Sequence, residues 1–158
     1  MKISPTIEGG LRIDPESDTD WLILRAIMVD ANAHPSDLAT RLGNMMSDKT
    51  VAKDWKDYIV PDLRESFADD LHHVYACIES AAAGPDGSGS AIWITPADAS
   101  RWYSALNQAR LTLEEIHHFG DDPELAHSNL NRSAKDALLR SRIYCTLQSL
   151  ILDHVLGA

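Results

Sequence analysis

Basic residues are in short supply in this chain: 14 lysines and arginines stand against 24 aspartates and glutamates, a formal net charge of −10. That balance argues against a phosphate-backbone binder, which displaces counterions with lysine and arginine. It argues equally against an anionic membrane surface. Cysteine is scarcer still, with Cys77 and Cys145 alone. Two distant thiols make no disulfide framework, and neither stands in a C-x-x-C spacing. No apolar run approaches the roughly 20 residues that a membrane helix needs. The opening MKISPTIEGG lacks the apolar centre of a signal peptide. GPDGSGS has glycines but no following Lys-Ser or Lys-Thr and no G-x-G-x-x-G, which speaks against a phosphate loop. A G-x-S-x-G nucleophile elbow is missing too. The expectation is a cytoplasmic protein with no membrane and no nucleic-acid partner.

What is present suits one domain spanning residues 1–158, with 44% hydrophobic residues and enough length for a single core. Residues 1–14 predict a β-hairpin turning at Gly9-Gly10. A three-residue loop, Glu8 to Gly10, sets Ile7 opposite Leu11 and keeps both on one face. AIWIT, Ala91 to Thr95, supplies a possible third strand, since an isolated hairpin is marginal. Residues 18–158 predict a bundle of five or six helices, with loops at 84–91 and 120–132. The fold class is therefore mainly α, with a small antiparallel N-terminal hairpin or three-stranded sheet.

Helix starts are written in the polar residues. Acidic residues precede the stripe of Trp21, Leu24, Ile27, Met28 and Ala31, where they suit the positive helix end. Ser36 is the expected cap for Leu38, Leu42 and Met45. Val51, Trp55 and Tyr58 or Ile59 form the next stripe. Pro61 is placed at the first position of a longer helix, with Leu63, Phe67, Leu71, Val74, Ile78 and Ala81 on its apolar face. Thr95 with Asp98 opens a helix that runs to about Phe119 and stops at Gly120. GDDPELAHSNLN reads as a loop with one turn of helix, and Ser133 with Asp136 starts the last helix.

Advancing about 100° per residue, Trp102, Leu106, Ala109, Leu113 and Ile116 form one stripe of the fifth major helix. Tyr103, Asn107, Arg110, Glu114 and His117 form a second beside it. Arg110 can pair with Glu114 at i, i+4. Where that stripe is covered, Arg110 needs a buried carboxylate. Asp70 is the candidate, because it falls on the apolar face of its own helix. Asp70, Asn107 and Arg110 are thus expected to form a structural polar clamp, with no catalytic role. On the last helix, Leu138, Cys145, Leu152 and Leu156 share one face, and Leu139, Ile143, Leu147 and Leu150 share roughly the opposite one. Two apolar faces predict either a central position or an interface with a protein partner or a second copy. Arg132, Lys135, Arg140 and Arg142 are read as a solvated face.

The stretch WYSALNQARLTL, Trp102 to Leu113, resembles the pattern Trp-Leu-x-Ala-Leu-Asn-Asp-x-Arg-Leu-x-Leu of the bacterial domain-of-unknown-function family DUF2017. LRIDPESDTDWLILRAI resembles that family's short strand, acidic turn and first helix. Gln108 stands where the family usually has Asp, and EEIHHFG replaces its Gly-x-Arg-Leu-Gly. The resemblance implies a compact, mainly helical, cytoplasmic bacterial protein with no established catalytic residues. In many genomes the family's gene lies near that of an adaptor for an ATP-dependent protease.

Three functional readings follow. The first is a non-enzymatic protein-binding or regulatory module with no cofactor. The second is a redox-responsive regulator, which requires Cys77 and Cys145 to approach within about 7 Å between Cα atoms. The third is a di-metal bundle enzyme built on Asp69-x-x-His72, Asp70-x-x-His73, Glu114-x-x-His117 and Glu115-x-x-His118. That spacing sets a carboxylate and an imidazole on one patch of a helix. By the wheel, His72 and His118 point away from their apolar stripes, which favours acidic, His-rich surfaces. Cys77 lies four residues after His73, but a nucleophile needs a cleft and a third orienting group.

Overall fold

The computed structural model describes residues 1–87, 89–120 and 130–157. Three strands, β1 (Lys2–Pro5), β2 (Leu11–Asp14) and β3 (Ile92–Ile94), form an antiparallel sheet in the order β1-β2-β3. Period-two alternation sets Leu11, Ile13, Ile92 and Ile94 into the core. Arg12 and Trp93 pair on the outer face, with the guanidinium 5.1 Å from the ring centroid.

The hairpin loop has three residues, as expected, but it is shifted by one, to Ile7, Glu8 and Gly9. Pro5 faces Leu11, and Ile7 stands fully exposed at the tip instead of opposite Leu11. Two glycines decide the register. Gly9 takes φ +84°, the left-handed bulge that follows such a turn. Gly10 lies in the ladder, where a Cβ would fall 2.3 Å from the Ile94 carbonyl oxygen. Thr6 closes the loop, donating its N–H to the Gly10 carbonyl at 2.9 Å and accepting from the Gly10 N–H on Oγ1 at 2.9 Å.

Six α-helices follow among the described residues: α1 (Asp18–Ala31), α2 (Leu38–Asn44), α3 (Lys49–Asp54), α4 (Val60–Ala82), α5 (Ala99–His117) and α6 (Arg132–Ile151). Side-chain caps satisfy the orphan N–H groups at several starts: Ser17 at α1, Asp37 at α2, Asp48 at α3 and Asn131 at α6. Asp37 and Asn131 replace the expected Ser36 and Ser133. Pro61 opens no separate helix. The chain is helical from α3 through a π-turn, Trp55–Ile59, into α4, and the Val60 N–H donates to the Trp55 carbonyl. The wider turn accommodates a ring that would crowd an α-helical carbonyl. Thr95 and Asp98 bond reciprocally, as their spacing predicts, and α5 starts just after them. It ends at His117, earlier than expected, because His118 adopts φ 49°. The loop expected at 120–132, and the helical turn expected within it, lie mostly outside the described residues, as does Ser88 of the other loop.

Helix α5 is the central rod, packed against α1, α4 and α6. Trp102, Ala105, Leu106, Ala109 and Leu113 are buried along it, whereas Ile116, expected in the same stripe, is exposed. Leu71, Val74, Ile78 and Ala81 of α4 meet it as predicted, with Leu24 and Ile27 of α1. Helix α6 buries one face, not two. Ala137, Leu138, Tyr144, Leu147, Gln148 and Ile151 point inward, and Leu139, Leu152 and Leu156 stay exposed. Tyr144 and Gln148 carry polar atoms yet belong to the inward face, which lies between the two leucine rows. Among the described residues no helix is long and apolar enough to cross a membrane.

Candidate functional site

The three residues expected to form the clamp do not converge. Asp70 on α4, and Asn107 and Arg110 on α5, are each half-buried. Arg110 reaches α6, where its Nη1 donates to Oε1 of the buried Gln148. Gln148 in turn donates from Nε2 to the Tyr103 carbonyl at 3.3 Å. Among the described residues no ion pair joins Arg110 to Asp70 or to Glu114. The reason is rotational. The side of α5 that meets α4 carries Gln108, whose Nε2 donates to the Phe67 carbonyl at 3.2 Å. Arg110 lies two residues on, about 200° around the helix.

A different clamp joins the first and last helices. Asp30 on α1 is 4% exposed. Arg140 grips it with two hydrogen bonds, Nε to Oδ2 at 2.8 Å and Nη2 to Oδ1 at 2.9 Å. The Tyr144 hydroxyl donates to Oδ2 at 2.8 Å and lies 3.2 Å from the Ile23 carbonyl. Burial and the neighbouring carboxylate push the Tyr144 phenol far above its ordinary value. The hydrogen bond to Asp30 raises the Arg140 guanidinium further. Arg140 therefore belongs to the interior contact and is not part of a solvated face. Its sequence signal is faint: Asp30 lies three residues after Ile27, beside the α1 stripe, and Arg140 and Tyr144 are spaced i, i+4.

A buried guanidinium, that of Arg41, ties α2 to α5. Arg41 donates from Nη2 to Thr112 Oγ1 at 2.9 Å and from Nη1 to the Ser36 carbonyl. Its Nε lies 2.7 Å from Glu115 Oε2, at ion-pair distance but off the N–H axis needed for a hydrogen bond. Thr112 also donates to the Ala31 carbonyl at 3.3 Å, linking the end of α1.

Cys77 and Cys145 are both free and half-buried, on α4 and α6. His73 Nε2 lies 2.9 Å from Asp98 Oδ1 and 3.8 Å from Cys77 Sγ. Carboxylate and thiol thus address the same ring nitrogen, whereas a proton relay engages both. Burial, assisted by Asp98, pushes the Cys77 thiol up, which disfavours the reactive thiolate. His73 consequently pairs with Asp98, not with Asp70. His117 stacks on Phe119 with centroids 5.5 Å apart, and His72 and His118 are exposed. Among the described residues no group of three or more His, Cys, Asp or Glu side chains is placed to hold a metal ion.

Strands β2 and β3, the acidic turn, the long helices and the Trp102–Leu113 stripe fall within residues 10–151, which match the family model described as domain of unknown function (DUF2017). The chain belongs to that family. No curated protein and no solved structure matches it. The matched span includes both clamps and leaves out β1 and the π-turn, Leu152–Leu156, that follows α6.

Surface clefts large enough to engage another molecule include these three. One of about 310 Å³ lies between Ser36–Ala39 and α4, with the buried Gln108 on its wall. A more open groove of about 540 Å³ runs between β3 and the Cys77 face of α4. A third, of about 400 Å³, lies between α2 and the α3–π-turn segment, bounded by Gly43, Trp55, Lys53, Lys56 and Val60. Gly43 shapes the third, because a Cβ there would fall 2.6 Å from Trp55 Cδ1. Trp55 is pinned by its Nε1 donating to the Ala39 carbonyl at 3.2 Å.

Proposed function

We propose that this DUF2017 chain is a non-enzymatic protein-binding or regulatory module of the cytoplasm, working without a cofactor. The observation that carries this reading is where its large apolar side chains meet water. Leu139, Leu152 and Leu156 are exposed along α6 and the π-turn, Leu152–Leu156, that extends it. Met45, Val51, Tyr58 and Ile59 are exposed around α2 and α3. Isolated exposed apolar residues are ordinary, but sequence-local groups on helical faces mark association surfaces. The α6 group suits a protein partner or a second copy of the chain. The buried polar residues support the same reading, since the two clamps bind helix to helix and present no nucleophile to a cleft.

The test is affinity capture from native cell extract, together with solution mass by light scattering, on three proteins. These are the unaltered chain, Leu139→Asp with Leu152→Asp, and Met45→Asp with Tyr58→Asp. Loss of a captured protein, or of a dimer mass, in one substituted pair and not the other is the expected result. Identical capture and a monomeric mass in all three would overturn the reading.

A further inference from the structure

We propose that the cleft between α2 and the α3–π-turn segment is a docking groove for an acidic amphipathic helix of a partner protein. This deepens the binding-module reading and rests on it. Four observations converge on this corner. The groove wall carries Met46, Ala52 and Trp55, all half-buried, and on the same helical segment Val51, Tyr58 and Ile59 are exposed. Met45, 81% exposed, caps the end of α2, next in the chain to the wall residue Met46. The groove walls are helical on both sides, so an incoming helix can lay its side chains between them, anchored at i, i+3 or i+4, and i+7. The backbone there is already paired within the helices, which leaves no strand edge for an extended peptide.

Charge selects the occupant. Among the described residues, Lys53 and Lys56 are the only charged residues on the groove wall, Asp48, Asp54 and Asp57 of the same segment lying off it, in a chain whose net charge is −10. Of the chain's lysines (Lys2, Lys49, Lys53, Lys56 and Lys135), three fall within this one short segment. Lys53 meets Asp57 at only 4.0 Å, and Lys56 has no ion pair among the described residues. A partner helix with large apolar residues flanked by Asp or Glu therefore gains both burial and pairing. A second copy of the groove would bring lysines against lysines, which disfavours a symmetric contact here.

The probe is a display library of helix-forming peptides, randomised on one face and selected against the full chain. Counter-selection uses Lys53→Glu with Lys56→Glu, two exposed positions whose reversal leaves the core intact. The expected winners carry Leu, Ile or Phe with neighbouring Asp or Glu. They shift backbone amide resonances within residues 38–60 and lose about tenfold or more in affinity on the charge-reversed protein. Winners with no acidic bias, or unaffected by the reversal, would overturn the groove. Winners whose shifts fall on α6 would overturn it too, while leaving the binding-module reading standing. A dimer mass abolished by Tyr58→Asp would assign the surface to a second copy instead. A selection yielding no binder above the bare support would overturn the groove, while the binding-module reading stands or falls by the capture experiment.

Discussion

Asp30 and Tyr58 reverse the usual distribution of polar and apolar side chains. Around α1, α5 and α6, Asp30, Gln108, Thr112 and Gln148 lie inside, and each meets a partner on another helix. Around α2 and α3, Met45, Val51, Tyr58 and Ile59 lie exposed. Helix α1 buries Leu24, Ile27 and Asp30, whereas every residue of α3 keeps some exposure. One region is therefore complete within the chain. The other has the pattern of a buried element without the cover.

The largest expected effect breaks the complete region. Asp30→Ala leaves the Arg140 guanidinium without its carboxylate and the Tyr144 hydroxyl without its better acceptor. Arg140 is about a quarter exposed and regains some water, so the loss falls near the low end for a broken buried pair, about 3 kcal/mol. Urea unfolding followed by circular dichroism measures it. A change below about 1 kcal/mol would mean that α1 and α6 are held by apolar packing alone.

Arg110→Ala ranks next. It strands Oε1 of Gln148 inside the bundle, and an unsatisfied buried acceptor costs about 1 to 3 kcal/mol. Adding Gln148→Leu removes the stranded group, so the double variant is expected to be more stable than the sum of the singles predicts. Additive losses would show that the two side chains act independently.

How far the sequence reveals each region depends on the range of the interaction. The stripe from Trp102 to Leu113 is legible because its neighbours lie three and four residues apart. The Thr95–Asp98 start is legible for the same reason. Asp30 meets Arg140 across 110 positions, and no local period encodes that pairing. Asp70 looked like Arg110's partner because both lie on favourable faces of their own helices. Only the packed rotation of α5 shows that Gln108 takes the α4 side. The α3 stripe is fully legible as a pattern, but whether the fold supplies its cover is decided by the placement of the other helices.

A smaller effect tests Tyr144 itself. Tyr144→Phe removes one hydrogen bond to Asp30 but keeps Arg140 in place, for a loss of about 1 kcal/mol at neutral pH. Its alkaline signature is more specific. The folded phenol keeps its proton above the ordinary value of 10.0, whereas the unfolded phenol releases it there. The folded state then binds more protons, so this stability is fully present below that pH and is lost as pH rises beyond it. The slope is up to about 1.4 kcal/mol per pH unit. The phenylalanine variant should lose stability less steeply above that point. Equal slopes in the two proteins would place the hydroxyl in water.

The smallest expected effect probes the incomplete region. Tyr58 is 72% exposed on the π-turn, so Tyr58→Ser withdraws little surface from the interior. Stability should change by less than about 0.5 kcal/mol, the usual range for surface positions. A loss of several times that size would show the ring packing against the bundle in solution, and the two regions would then be alike. A near-zero change leaves an aromatic side chain whose burial the fold does not use, on a helix face spaced for burial. In the proposed reading, a partner protein supplies the contact that uses it.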